Sequence, residues 1–304
     1  MPKKRKKKGS GVDSLKKQQM AANYGFALAF MKSDPELWKL FNTAVKKTWD
    51  ANMFVARLRS TKWFKRNSAS VRNAIMQETA DPATYRANIS KMSRTLADAW
   101  GSRYGTRVEG KWINYWSKMA FRMGWSEAEA LDHMSRNVDY DKALRRRDLG
   151  GTAAELRGQL EAAETQYGLS MGNNWKAKKL EELVEGRNTI QGVTDSLREW
   201  ARQEYAAFAA ELDSGKTIME IADPYRQQMA ELLEINPADI SIRDQMLQRA
   251  LKSKDKEGRP AALSMTDFAN TVRKDSRWQY TNNAKKDAAN VTAQLLQSFG
   301  LMEG

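Results

Sequence analysis

His133 is the only histidine in the chain, and cysteine is absent. An imidazole base therefore has one candidate, while disulfides, thiolate metal sites and a cysteine nucleophile are excluded. No nucleophile motif stands beside His133. Glu129 lies one turn before it and Arg136 three residues after it, the setting of a surface or half-buried histidine. Carboxylate pairs are the other route to acid–base chemistry, as in a glycosidase cleft. Glu127 and Glu129 are two apart on a predicted helix and face different ways. Glu181, Glu182 and Glu185 alternate with Lys176, Lys178 and Lys179 as a solvated face does. No phosphate loop, dinucleotide fingerprint or metal-ligand spacing occurs. The expectation is a protein with no catalytic residues, no metal and no cofactor.

Charge is the stronger signal. The chain of 304 residues carries a formal +14. Lys3, Lys4, Arg5, Lys6, Lys7, Lys8, Lys16 and Lys17 oppose only Asp13 within the first 17 residues, so half the excess lies there. Lysines at this density attract phosphates through counterion release, or an acidic partner surface by the same charge. The plainer alternative is a solubilising arm. MPKKRKKK also has the letters of a nuclear import signal, which would matter only in a eukaryotic host. Residues 1–14 are expected to be a disordered basic tail, with Gly9-Ser10-Gly11 near its end.

Ten tryptophans accompany this charge. Lys62-Trp63-Phe64-Lys65-Arg66 has the local look of a base-stacking platform. Most tryptophans fall on apolar stripes or at helix junctions, where packing is the expected role.

The elements that must position these residues are helices. Strand-like alternation is missing, whereas starts and stops recur. Asp34-Pro35, Asp81-Pro82, Asp223-Pro224 and Asn236-Pro237 each pair a capping side chain with a proline suited to a first helical position. Ser126–Glu129 and Thr152–Glu155 fit the reciprocal capping box. Tyr167-Gly168-Leu169 and Phe299-Gly300-Leu301 suit a left-handed C-terminal cap. The pattern predicts helices at 15–31, 35–48, 51–60, 66–78, 82–102, 107–123, 127–137, 153–167, 171–185, 190–213, 224–234, 243–252, 265–274 and 282–298. Apolar stripes follow on several of them, including Tyr85, Ile89, Met92, Leu96, Trp100 and Trp112, Trp116, Met119, Met123.

Two internal echoes organise the chain. Asp50–Trp63 (DANMFVARLRSTKW) returns as Ser264–Trp278 (SMTDFANTVRKDSRW), with Phe54, Leu58, Arg59 and Trp63 answered by Phe268, Val272, Arg273 and Trp278. YGTRVEGKW, ending at Trp112, and YGLSMGNNW, ending at Trp175, share Tyr, Gly and Trp at equal separation. The expected fold is all-α, an array of short helical hairpins with internal repeats. A boundary is expected where two glycines loosen Arg145–Gly151, separating residues 15–148 from 152–304, unless the halves form one continuous array. No apolar run is long enough to span a membrane.

Ser196–Ile240 and Leu263–Leu301 resemble helical virion structural proteins of tailed actinobacteriophages, commonly labelled minor tail proteins, and Phe30–Phe64 has the same character. The resemblance implies a non-catalytic component of the particle, whether minor tail, head–tail or internal. It would be made in the host cytoplasm, present in multiple copies and held by other virion proteins, with the basic tail touching genomic DNA or an acidic neighbour. The rival expectations are a nonspecific nucleic-acid-binding protein packaged with the genome and a virion-associated lytic enzyme.

Overall fold

The structure is a computed structural model that describes residues 10–298. These residues form α-helices joined by turns and three short 3-10 segments. No strand occurs among them beyond one isolated bridge, Lys254 to Pro260. The chain is all-α. Its helices fall into two units, one comprising the chain up to Asp139 with Asp148–Thr152, the other Tyr140–Arg147 with the chain from Ala153.

The first unit contains α1 (Ser10–Asn23), α2 (Leu28–Lys32), α3 (Pro35–Lys47), α4 (Ala51–Ser60), α5 (Lys62–Arg66), α6 (Ala69–Ala80), α7 (Pro82–Tyr104), α8 (Gly110–Met123) and α9 (Glu127–Ser135). Polar side chains start most of them. Asp34, Asp50, Thr61, Ser68 and Asp81 each accept from a backbone amide of the following turn, and Ser126 with Glu129 closes a full capping box. One core gathers Tyr24, Phe30, Phe41, Phe54 and Trp63.

The second unit contains α10 (Tyr140–Arg146), α11 (Gly151–Gln166, in this unit from Ala153), α12 (Asn173–Val184), α13 (Ile190–Glu204), α14 (Ala209–Asp213), α15 (Ile218–Leu233), α16 (Gln245–Leu251), α17 (Met265–Val272) and α18 (Asn282–Ser298). Its core runs from Leu160 through Leu197, Tyr205 and Met229 to Phe268 and Val272.

Several boundaries differ from the sequence reading, each for a local reason. Helix begins at Ser10, so residues 10–14 are not tail; residues 1–9 lie outside the described part. The span 15–31 breaks at Gly25, whose φ of 77° is left-handed. The span 190–213 breaks at Tyr205, which is fully buried and ends α13. Pro224 does not start a helix. Thr217 and Glu220 form a capping box earlier, and Pro224 is carried inside α15. Asn236-Pro237 opens only a 3-10 turn. Thr152 lies inside α11 and caps nothing. The sequence reading missed α10, which packs on α12 and buries Tyr140. Phe299-Gly300-Leu301 is outside the described residues.

The glycines at 150 and 151 do not loosen the chain. The Gly150 amide donates to the Tyr104 carbonyl at 2.7 Å. A Cβ on Gly105, whose φ is +65°, would land 2.7 Å from the Gly150 carbonyl carbon. Two backbones meet there with no room for a side chain.

Both echoes are structural. Phe54 and Phe268 are each the fourth residue of a capped helix and are fully buried; Leu58 and Val272 are buried one turn on, and Arg59 and Arg273 are exposed. In each unit a tyrosine ring lies on that phenylalanine, Tyr24 stacked on Phe54 at 4.4 Å and Tyr225 edge-on to Phe268 at 5.2 Å. Each tyrosine hydroxyl donates at 2.7 Å to the carbonyl just before the helix cap, Trp49 in one case and Leu263 in the other. Trp63 is buried, but Trp278 is only half-buried. In the shorter echo, Gly105 and Gly168 are both left-handed, and Trp112 and Trp175 are each third in the next helix.

Burial raises the Tyr24 and Tyr225 hydroxyls above the ordinary phenol range. A raised value in the folded state means their contribution is whole below that range and is lost as pH rises through the raised values. Tyr24→Phe and Tyr225→Phe are each expected to lower the unfolding free energy by about 1 kcal/mol at neutral pH. Urea denaturation of the two variants checks this, and equal costs would reflect the shared geometry.

Candidate functional site

Most of the residues that invited chemistry have structural partners, whereas Glu127 is exposed and enters no hydrogen bond or ion pair among the described residues. His133 is half-buried and stacks on Trp125, ring centroids 4.0 Å apart. The Glu129 carboxylate accepts from the Ser126 amide at 2.7 Å and its hydroxyl at 2.8 Å. Those bonds, the amide first, hold it below the usual carboxylate range. Glu182 accepts from Lys179 at 2.7 Å and Asn188 at 3.1 Å and is lowered chiefly by the lysine. Glu181 and Glu185 share Arg187, at 2.9 Å and 2.6 Å. Glu164, almost wholly buried, holds Lys176 at 2.8 Å and the Met171 amide at 3.1 Å. Among the described residues no group of three or more His, Asp or Glu has a metal-holding arrangement, and no helix is long and apolar enough to cross a membrane.

Lys3, Lys4, Arg5, Lys6, Lys7 and Lys8 lie outside the described residues. Lys16 and Lys17 are on α1 and differ from one another. Lys16 is exposed, whereas Lys17 pairs with Asp13 at 3.4 Å and sits over the Trp38 ring at 5.5 Å. The local platform at 62–66 is not one. Trp63 is core, meeting Phe30 edge-on at 5.4 Å, and Arg66 pairs with Asp34 at 3.2 Å.

Helix α8 departs most from its sequence pattern. The stripe expected to be buried, Trp112, Trp116, Met119 and Met123, is half-buried to exposed; the buried row is Ile113, Ser117 and Ala120. Small residues let α7 approach closely, and the Ser93 hydroxyl donates to Ser117 at 2.9 Å. The large rings are displaced to the flank, where Trp100, Trp112, Trp116 and Trp125 form a ladder with centroids 4.9, 6.2 and 6.5 Å apart. On the other flank of α8, Asn114 and Lys118 join Glu78 of α6 and Tyr85, Arg86 and Ser90 of α7 around an open concavity of about 600 Å³. Glu78 pairs with Arg122 at 2.8 Å. The buried Tyr85 hydroxyl has no hydrogen bond of normal geometry. Burial pushes it up, Glu78 adds to that, and the nearby Arg122 guanidinium opposes both.

Two further carboxylates clamp helix starts. Glu36 accepts from the amides of Lys62 and Trp63 at 3.0 and 2.7 Å, and Glu234 from those of Asn282 and Asn283 at 3.0 and 2.8 Å. Negative charge at a helix N-terminus satisfies free amides and the helix dipole together. A carboxylate in such a clamp leaves no sequence spacing to read, because its partner lies far along the chain.

No protein-family model, no curated protein and no solved structure matches this chain.

The Asn282 amide is the main cause that holds Glu234 below the ordinary glutamate range. A lowered folded value means that the clamp is whole above that range and is lost as pH falls through the lowered value. In an acid titration followed by NMR, the amide protons of Asn282 and Asn283 are expected to shift together with a midpoint below ordinary glutamate. Glu234→Gln should flatten both curves.

Proposed function

We propose that this chain is a non-catalytic structural protein of a tailed bacteriophage particle. As a minor tail, head–tail or internal component, it is present in several copies and holds other virion proteins through its helix faces. The basic N-terminal residues touch the packaged DNA or an acidic neighbour. The observation that carries the reading is the tyrosine-anchored capped helix, built once in each unit on Phe54 and on Phe268. A chain that repeats a packing module and spends its carboxylates on caps, clamps and ion pairs suits a protein whose work is contact. The likeness of Phe30–Phe64, Ser196–Ile240 and Leu263–Leu301 to actinobacteriophage virion proteins supports the particle as its location.

The decisive experiment is mass spectrometry of purified particles from a phage that encodes the chain. Its peptides are expected at a stoichiometry above one copy per particle, and their absence from washed particles would end the reading.

A second reading, a nonspecific nucleic-acid-binding protein packaged with the genome, draws on the charge of residues 3–8. Because Lys17 is packed on Trp38, the informative deletion is residues 1–9 and not 1–17. Duplex affinity measured across salt is expected to lose slope by about 0.9 for each phosphate contact removed. An unchanged slope would show that these lysines touch no DNA.

A further inference from the structure

The outer face of α8 combines free positive charge with an exposed ring. Lys111, Asn114, Tyr115, Lys118 and Arg122 recur at helical spacing on the face opposite Ile113, Ser117 and Ala120, and all five are exposed. The helix contains no Asp or Glu. Arg122 is neutralised by Glu78, whereas Lys111 and Lys118 enter no ion pair among the described residues. Those two lysines are seven positions apart, about 10 Å along the axis.

Tyr115 lies between them and is 57% exposed. Its ring is backed edge-on by Trp116 at 5.5 Å, and Trp116 rests on Trp112. An aromatic ring so exposed contributes little to the core, and its edge-on contact with Trp116 sets it against the ladder. The concavity alongside adds Arg86 and the neutral donors Ser90 and Asn114. Arg86 gives its Nε to the Pro82 carbonyl at 3.1 Å and enters no ion pair among the described residues. Glu78, already paired, is the only acidic residue lining it.

We infer that this face binds single-stranded nucleic acid, with Lys111, Lys118 and Arg86 on phosphates and an unpaired base stacked on Tyr115. An acidic peptide would use the cations but give the ring no partner. A duplex keeps its base faces stacked inside, so only an unpaired base presents a π-face to the tyrosine. Cations flanking an aromatic platform bind sequence-tolerantly, through phosphate charge and stacking that are separable by salt. The surface is distinct from the lysine-rich N-terminus and does not depend on the particle reading.

The test is fluorescence anisotropy of a labelled oligothymidylate with the full-length chain across a salt series. Residues 1–9 are common to all variants, so differences report α8. Lys111→Gln and Lys118→Gln are each expected to reduce the salt slope by about 0.7. Tyr115→Ala should weaken binding about tenfold at unchanged slope, and Tyr115→Phe, which keeps the ring, should restore it. Circular dichroism confirms that these surface variants stay folded. The inference is overturned if the lysine variants keep the parent slope, or if Tyr115→Ala binds as the parent does. It is equally overturned if polyglutamate of matched charge displaces the oligonucleotide at equal concentration, which would assign the face to an acidic protein.

Discussion

A buried tyrosine hydroxyl that donates to a backbone carbonyl at a helix joint is the interaction on which this architecture rests. Short helices leave many amides and carbonyls without partners inside the helix, so the ends, more than the middles, decide whether the chain can pack. Tyr24 and Tyr225 satisfy the carbonyls of Trp49 and Leu263, and Tyr205 does the same for Gly168 at 2.9 Å. Each ring also fills core volume, so one residue closes a joint and packs it. Asp, Ser and Thr caps and the clamps of Glu36 and Glu234 close many of the other starts, whereas α2, α8, α12 and α14 begin with no side-chain cap. Of the polar side chains that looked available for catalysis, Glu129 is drawn into this work, while Glu181, Glu182 and Glu185 enter ion pairs.

Size complementarity sets the surfaces left over. Ser117 and Ala120 bring α8 against α7 and turn its tryptophans sideways. The ladder from Trp100 to Trp125 and the outward stripe of Lys111, Tyr115 and Lys118 are two results of the same close approach.

Helix starts are legible in the sequence wherever a capping side chain precedes an apolar period, as at Asp34, Asp50, Asp81, Ser126 and Ser264. They are misleading at Asp223-Pro224, because the Thr217–Glu220 box nucleates the helix a turn and a half earlier and the proline is tolerated inside it. The Phe54 and Phe268 echo is legible because a cap fixes the distance from polar start to buried ring. What the sequence hides depends on distant partners. Nothing near Tyr24 announces Trp49, nothing near Glu234 announces Asn282, and the exposed face of α8 emerges only once Ser93 is known to touch Ser117. The short α10 offers only Tyr140 and Leu144, one turn apart, as its apolar signal.

The chain leaves the first unit at Tyr140, returns for Asp148–Thr152, and leaves again at Ala153. During synthesis the first unit is therefore unfinished until Gly150 emerges from the ribosome to meet Gly105. By then α10 is already outside, while α12, the helix it packs on, is complete only at Val184, 184 − 150 = 34 residues later. At ordinary elongation rates that is about 2–7 s, during which Tyr140 is without the helix that will cover it. Slower translation across residues 151–184 would lengthen the interval in which Tyr140, the buried residue of an otherwise largely charged helix, stays uncovered.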